Sequence, residues 1–120
     1  MKEMKKAKPI VIKDTENNST YTLEFSRKTV YFAEQMGFSI EDLKTKPFSG
    51  VSELWYYAFR KNHQFVDRKL TDSLLDELGG VLHLPEGLLE RLVELYQAPF
   101  DVLAEDEDGA RKNARVTVDF

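Results

Sequence analysis

Six consecutive residues, Leu54-Trp55-Tyr56-Tyr57-Ala58-Phe59, limit what this chain can fold into more than any other stretch. Read as a helix from about Ser49 to Asn62, the segment needs only Val51, Leu54, Trp55, Ala58 and Phe59 to make one apolar stripe. Tyr56 and Tyr57 carry the apolar surface beyond that stripe. Each aromatic side chain brings roughly 150–250 Å² to bury. Such a helix must pack against several neighbours or against another molecule, so it is expected at the centre of the fold.

The 120-residue chain suffices for one domain, which at this size hides roughly two-thirds of the surface its unfolded chain exposes. With no cysteine, the core must form without disulfides, thiolate metal sites or a cysteine nucleophile. The basic start from Met1 to Pro9 is followed by only Ile10-Val11-Ile12 before Lys13 and Asp14. That run is too short for a signal peptide or a membrane span. A cytoplasmic protein with no membrane partner is therefore expected, in which the sequons at Asn17 and Asn18 stay unmodified. A net charge of -4 and a pI near 5.2 argue against broad nucleic-acid binding, which needs a positive surface to displace counterions.

In chain order, Lys2, Lys5, Lys6 and Lys8 make a basic flexible arm over residues 1–8. Pro9–Asp14 and Thr20–Phe25, rich in β-branched and aromatic residues and separated by turn-forming Thr15–Ser19, predict an N-terminal hairpin over 9–25. Tyr21, Leu23 and Phe25 form its apolar face, which the following helices must cover. Ser26 suits an N-cap for a helix through Met36, with Thr29, Val30, Ala33 and Met36 inward and Gly37 as the stop. Ser39 caps a short helix over Ile40–Lys44, and Pro47 ends it. After the aromatic helix, 62–66 is a connector. Asp67 or Leu70-Thr71 opens a helix buried through Leu70, Leu74, Leu75 and Leu78, which Gly79-Gly80 stops.

Pro85 suits a first helical position. From there Leu88, Leu89, Leu92, Val93, Leu95 and Tyr96 form an apolar face opposite Glu86, Glu90, Glu94, Gln97 and Asp101. Pro99 predicts a break before a last turn with Phe100, Val102 and Leu103. The fold class is thus α+β, predominantly helical: a hairpin followed by a bundle of four to five short helices over 9–103. A charged, mobile tail over 104–120 follows, in which Val116-Thr117-Val118 is a candidate edge strand in an assembly.

Catalytic chemistry finds little footing, and an enzyme, a metal or a cofactor is not expected. His63 and His83 lie too far apart for a helical zinc motif and read as surface or loop residues. The run 104–115 places Asp106, Asp108 and Gly109 at calcium-loop positions three, five and six. It has Ala104 and Arg115 where the first ligand and the bidentate carboxylate belong. Gly79-Gly80 follows a helix rather than a strand, which suits a helix stop and not a phosphate loop. Ser26, Ser39 and Ser49 fit capping positions. The pair 70–78 and 85–97 imitates a helix-turn-helix, but its second helix presents glutamates, which phosphates repel.

What remains is an aromatic surplus. Phe48, Trp55, Tyr56, Tyr57, Phe59, Phe65, Tyr96 and Phe100 exceed what two short helices need inward. Either they fill one core or some form an exposed patch that meets a partner. The candidates for partner binding on this argument are Trp55, Tyr56, Tyr57 and Phe100, and the same surplus predicts a homo-oligomer.

The order of phrases along the chain resembles the tail assembly chaperones of long-tailed, siphovirus-type phages and prophages of Gram-positive bacteria. A short hairpin precedes Phe25-Ser26-Arg27-Lys28-Thr29-Val30 and Glu34-Gln35-Met36-Gly37-Phe38. Glu53-Leu54-Trp55-Tyr56-Tyr57-Ala58-Phe59-Arg60 follows, then Thr71-Asp72 with Leu78-Gly79-Gly80, and finally Leu89 to Tyr96 with Pro99-Phe100. The similarity covers residues 9–103. It implies a non-enzymatic protein that binds and solubilises the tape measure protein during tail morphogenesis, in many copies. It also implies a frameshifted longer product that recruits tail tube protein. No individual binding residue is transferred by it. A small structural component of the virion and a helical regulatory module are the alternatives.

Overall fold

The computed structural model describes residues 7–101 together with 115, 116, 118 and 119. The expected basic arm and charged tail, the calcium-like run and the last turn at Val102 and Leu103 lie largely outside the described residues. Ala7 and Lys8 are described, as are Val116 and Val118, which are exposed and outside the sheet.

Two strands, β1 (Ile10–Asp14) and β2 (Ser19–Leu23), pair antiparallel with Ile10 opposite Leu23 and Ile12 opposite Tyr21. The Asp14 carboxylate closes their turn by accepting from the Glu16 and Asn17 N–H groups at 3.1 and 3.3 Å, while Asn18 takes a positive φ of 54°. The period of two puts Ile10, Ile12, Tyr21 and Leu23 on the face packed against the helices. β2 stops at Leu23, two residues earlier than expected, because the Glu24 N–H leaves the ladder and donates to Ala58 O at 3.0 Å. Phe25 remains buried.

Five α-helices follow: α1 (Arg27–Gln35), α2 (Asp42–Thr45), α3 (Pro47–Ala58), α4 (Arg68–Glu77) and α5 (Leu88–Gln97). Turns of 3-10 helix lie at Val81–His83 and Ala98–Phe100. Ser26 caps α1 through a reciprocal pair: its Oγ accepts from Thr29 N–H at 3.2 Å, and its own N–H donates to Thr29 Oγ1 at 2.9 Å. Asp67 caps α4 by accepting from Leu70 N–H at 2.9 Å.

Several helix boundaries differ from the sequence reading, and α3 ends at Ala58 rather than near Asn62. Pro47, expected as a helix stop, begins α3, since a first-turn residue needs no N–H donor. Ser49 therefore lies inside the first turn and caps nothing; its Oγ reaches back to Lys46 O. The short helix spans Asp42–Thr45 rather than 40–44. Pro85 makes only a turn, with Leu88 N–H bonded to Pro85 O, because Gly87 takes a left-handed φ of 85° and α5 starts after it. Met36, expected inward, is 61% exposed because it continues the outward Lys28–Phe32–Met36 row of α1.

The aromatic helix is central, as its composition requires: α3 packs against α1, α2, α4, α5 and the turn at Val81–His83. Its rings reach in several directions. Trp55 and Phe59 meet edge to face at 5.3 Å, and Phe59 passes the contact to Tyr21 of the hairpin at 5.5 Å. Tyr57 faces Phe32 of α1 and Phe38, while Tyr96 of α5 meets Phe25 and Phe38 at 5.1 and 5.5 Å. Trp55 Nε1–H donates to Thr71 O at 2.7 Å, tying α3 to α4 in a region without water access.

Tyr96 Oη is buried and has no hydrogen-bond partner among the described residues. Burial first, and the nearby Glu34 carboxylate second, push its ionisation up from 10.0 to about 12. The folded value exceeds the unfolded one, so this contribution to stability is complete below pH 10 and is lost as pH rises through about 12. Tyr96→Phe removes the orphan hydroxyl, and in urea unfolding at pH 7 it is expected to match or exceed the parent by up to about 1 kcal/mol. It is also expected to flatten the alkaline loss. A clear destabilisation at pH 7 would mean that the hydroxyl has a partner.

Candidate interaction surface

The surplus aromatics divide sharply by position. Trp55 is 0% exposed and Tyr57 is 5% exposed, so neither reaches a partner in the folded protein. This corrects their selection as binding residues: both lie on the side of α3 that its neighbours cover. Burial is also the main reason the Tyr57 hydroxyl ionises above its ordinary range; Glu53 adds to the effect and Arg68 offsets part of it. Tyr56 is half-buried, with the Arg68 guanidinium 4.5 Å over its ring. Phe100 is 42% exposed and lies against Tyr31 at 5.8 Å and beneath Arg27 at 5.1 Å. The four candidates therefore do not form one site.

Two adjoining hollows are lined by described residues. The first lies along the connector between α3 and α4, measures about 760 Å³, and is lined by Phe65, Val66 and Leu70 among others. Phe65 is 98% exposed, the extreme among the large apolar side chains described. The connector is anchored just before this residue. His63 Nε2 accepts from Thr22 N–H at 2.9 Å, and Asn62 Nδ2 donates to Thr22 O at 3.0 Å. Together they occupy the free edge of β2. His63 is thus a half-buried structural acceptor on a loop, edge-on to Tyr21 at 5.2 Å, rather than an ordinary surface or loop residue. Beside it the Glu24 carboxyl is held below its usual range, chiefly by the Asn62 hydrogen bond, with desolvation opposing and Lys61, 3.3 Å away, assisting.

The second hollow, about 650 Å³, runs along the outer face of α1 and shares Lys61 and Gln64 with the first. Its floor is Tyr31 and Phe32, with Arg60 stacked 4.6 Å over the Phe32 ring. A smaller hollow continues past Phe32 to Met36, Tyr56 and Arg68. Arg60 and Arg68 thus each sit over a ring along one strip, and Arg27 sits over Phe100. The sequence reading missed this strip. The signal was present in Tyr31 and Phe32, which fall outside the inward stripe of α1, and in Lys28–Phe32–Met36 at four-residue spacing.

Among the described residues no group of three or more His, Cys, Asp or Glu is placed to hold a metal ion, and no helix is long and apolar enough to cross a membrane. Among the described residues a single hairpin and five α-helices define a small α+β fold carrying an aromatic surface rimmed by cations. The chain belongs to the family described as domain of unknown function DUF5055, whose model matches residues 4–120. No curated protein and no solved structure matches it.

Proposed function

We propose that this protein is a non-catalytic phage tail assembly chaperone that holds the tape measure protein in solution in the host cytoplasm, docking it on the surface around Phe65. The observation that carries the reading is Phe65 itself. A phenylalanine 98% exposed on a connector that His63 and Asn62 anchor costs solvation energy and contributes nothing to the core. Val66 and Leu70 beside it widen the apolar surface, which suits the apolar stripe of an unassembled helix. The phrase order resembling tail assembly chaperones supplies the client, and tail tube protein is the second partner that this reading implies.

The test is co-expression with the long coiled-coil protein encoded just downstream, scoring how much of it stays soluble. Phe65→Ser should leave the melting temperature of this chain within a few degrees, as expected for a surface change of about ±0.5 kcal/mol, while the soluble client falls severalfold. A client equally soluble with and without this chain would overturn the reading. A client whose solubility depends on this chain but is unchanged by Phe65→Ser would retain the chaperone and move its docking surface elsewhere.

A further inference from the structure

We propose that the arginine-lined strip on α1 is a docking groove for a second copy of this chain, and that its occupant is the acidic outer face of α5. The floor is aromatic: Tyr31 and Phe32, continuing to Tyr56 and Met36. The rim is cationic. Among the described residues Lys28, Arg60 and Arg68 make no ion pair with a carboxylate, whereas neighbouring Lys61 is held by Glu24 at 3.3 Å. The Arg60 and Arg68 guanidinium carbons lie 4.6 and 4.5 Å over the Phe32 and Tyr56 rings. Arg60 Nη1 donates to Gln64 O at 3.3 Å, and a guanidinium's five N–H donors leave others to meet carboxylates.

The complementary surface is on the same chain. Glu90 and Glu94 lie one turn apart on the exposed side of α5, with Glu86 before them and Gln97 after, flanked by half-buried Leu89 and Val93. The one cation of this helix, Arg91, is turned away: its Nη2 donates to Lys8 O at 2.5 Å. A helix edge with carboxylates in a row and aliphatic flanks matches an aromatic floor with cations in a row.

The groove and the acidic face are different surfaces, so the contact is heterologous and builds head-to-tail chains or a ring rather than a self-closing pair. Two helical turns bury less than the roughly 800 Å² per partner of a stable complex, so association is concentration-dependent and salt-sensitive. The inference is independent of client docking at Phe65, which lies in the adjoining hollow.

Sedimentation equilibrium of the full chain tests it. The average mass should rise above 13.9 kDa as protein approaches about 1 mM. It should fall back to the monomer in about 1 M salt, where the Debye length shrinks to roughly 3 Å. Arg60→Glu and, on an exposed position that does not endanger folding, Lys28→Glu should each remain monomeric. So should Glu90→Arg combined with Glu94→Arg, with circular dichroism confirming that every variant is folded. An equimolar mixture of a groove variant with Glu90→Gln combined with Glu94→Gln, neutral so that the altered groove and the altered face do not attract each other, should form a dimer and go no further, since it contains one intact groove meeting one intact acidic face.

A monomeric parent at every concentration would overturn the proposal, as would variants that associate like the parent or a mixture that stays monomeric. Neutralising Glu105 to Asp108 with amides in the full chain is the control for another occupant. If that change abolishes association and the α5 change does not, the acidic run near the C-terminus is the ligand and the proposal fails.

Discussion

Trp55→Ala is expected to remove about 3–5 kcal/mol of stability, the range for deleting a fully buried large aromatic side chain. Trp55 has no exposed surface, packs on Phe59 at 5.3 Å, and donates from Nε1 to Thr71 O at 2.7 Å. Truncation therefore opens a cavity at the junction of α3 and α4 and removes a hydrogen bond to the buried Thr71 carbonyl. Against the roughly 5–15 kcal/mol available to a typical domain, that loss leaves a substantial unfolded population near physiological temperature. Urea unfolding followed by far-ultraviolet circular dichroism measures it, because the variant has lost the chain's one tryptophan. Trp55→Phe separates the two contributions: it keeps most of the ring contact and loses the hydrogen bond, for an expected cost of about 1–3 kcal/mol. A Trp55→Ala protein as stable as its parent would contradict the central position of α3. The same geometry shows why client binding lost on changing Trp55 would report unfolding, whereas loss on changing Phe65 reports a surface.

Gly79→Ala should be the second severe change. Gly79 ends α4 with φ at +113°, where an L side chain is strained at an order of 1–2 kcal/mol. A Cβ there would also lie within van der Waals overlap of the His83 backbone carbonyl, as well as 3.1 Å from the His83 Cβ. Backbone cannot swing aside as a flexible side chain can, and forced overpacking adds about 1–3 kcal/mol. The expected result is a drop in the urea midpoint with an unchanged slope, comparable to that of Trp55→Ala. Gly37→Ala supplies the contrast: φ is +102° but nothing lies within 4 Å of the added Cβ, so it carries the backbone strain alone. Equal costs at the two glycines would show that the approach of His83 to Gly79 is immaterial.

The elements themselves were legible because their signals are local. Alternation in Tyr21, Leu23 and Phe25, the caps at Ser26 and Asp67, and the stops at Gly37 and Gly79-Gly80 act within a few residues, so spacing along the chain was enough to place a hairpin and five helices. The boundaries that moved were those where one residue has two local meanings. Pro47, expected to end one helix, starts the next, and Pro85 suits a first turn until Gly87, the residue just before α5, takes a left-handed conformation.

Exposure is a different kind of quantity, decided by what packs on each side of an element. Composition alone required α3 to have several neighbours. It did not determine that α4 would cover Trp55, that Phe32 and Phe38 would flank Tyr57, or that nothing described would cover Phe65. The stacking of Arg60 on Phe32 and of Arg68 on Tyr56 joins residues far apart in the chain across helix boundaries. The sequence by itself determined the hairpin, the helices and the central place of the aromatic run, because those follow from backbone propensity and the area that must be hidden. Only the tertiary structure decided which aromatics form the core and which form a surface, because burial depends on the mutual orientation of helices.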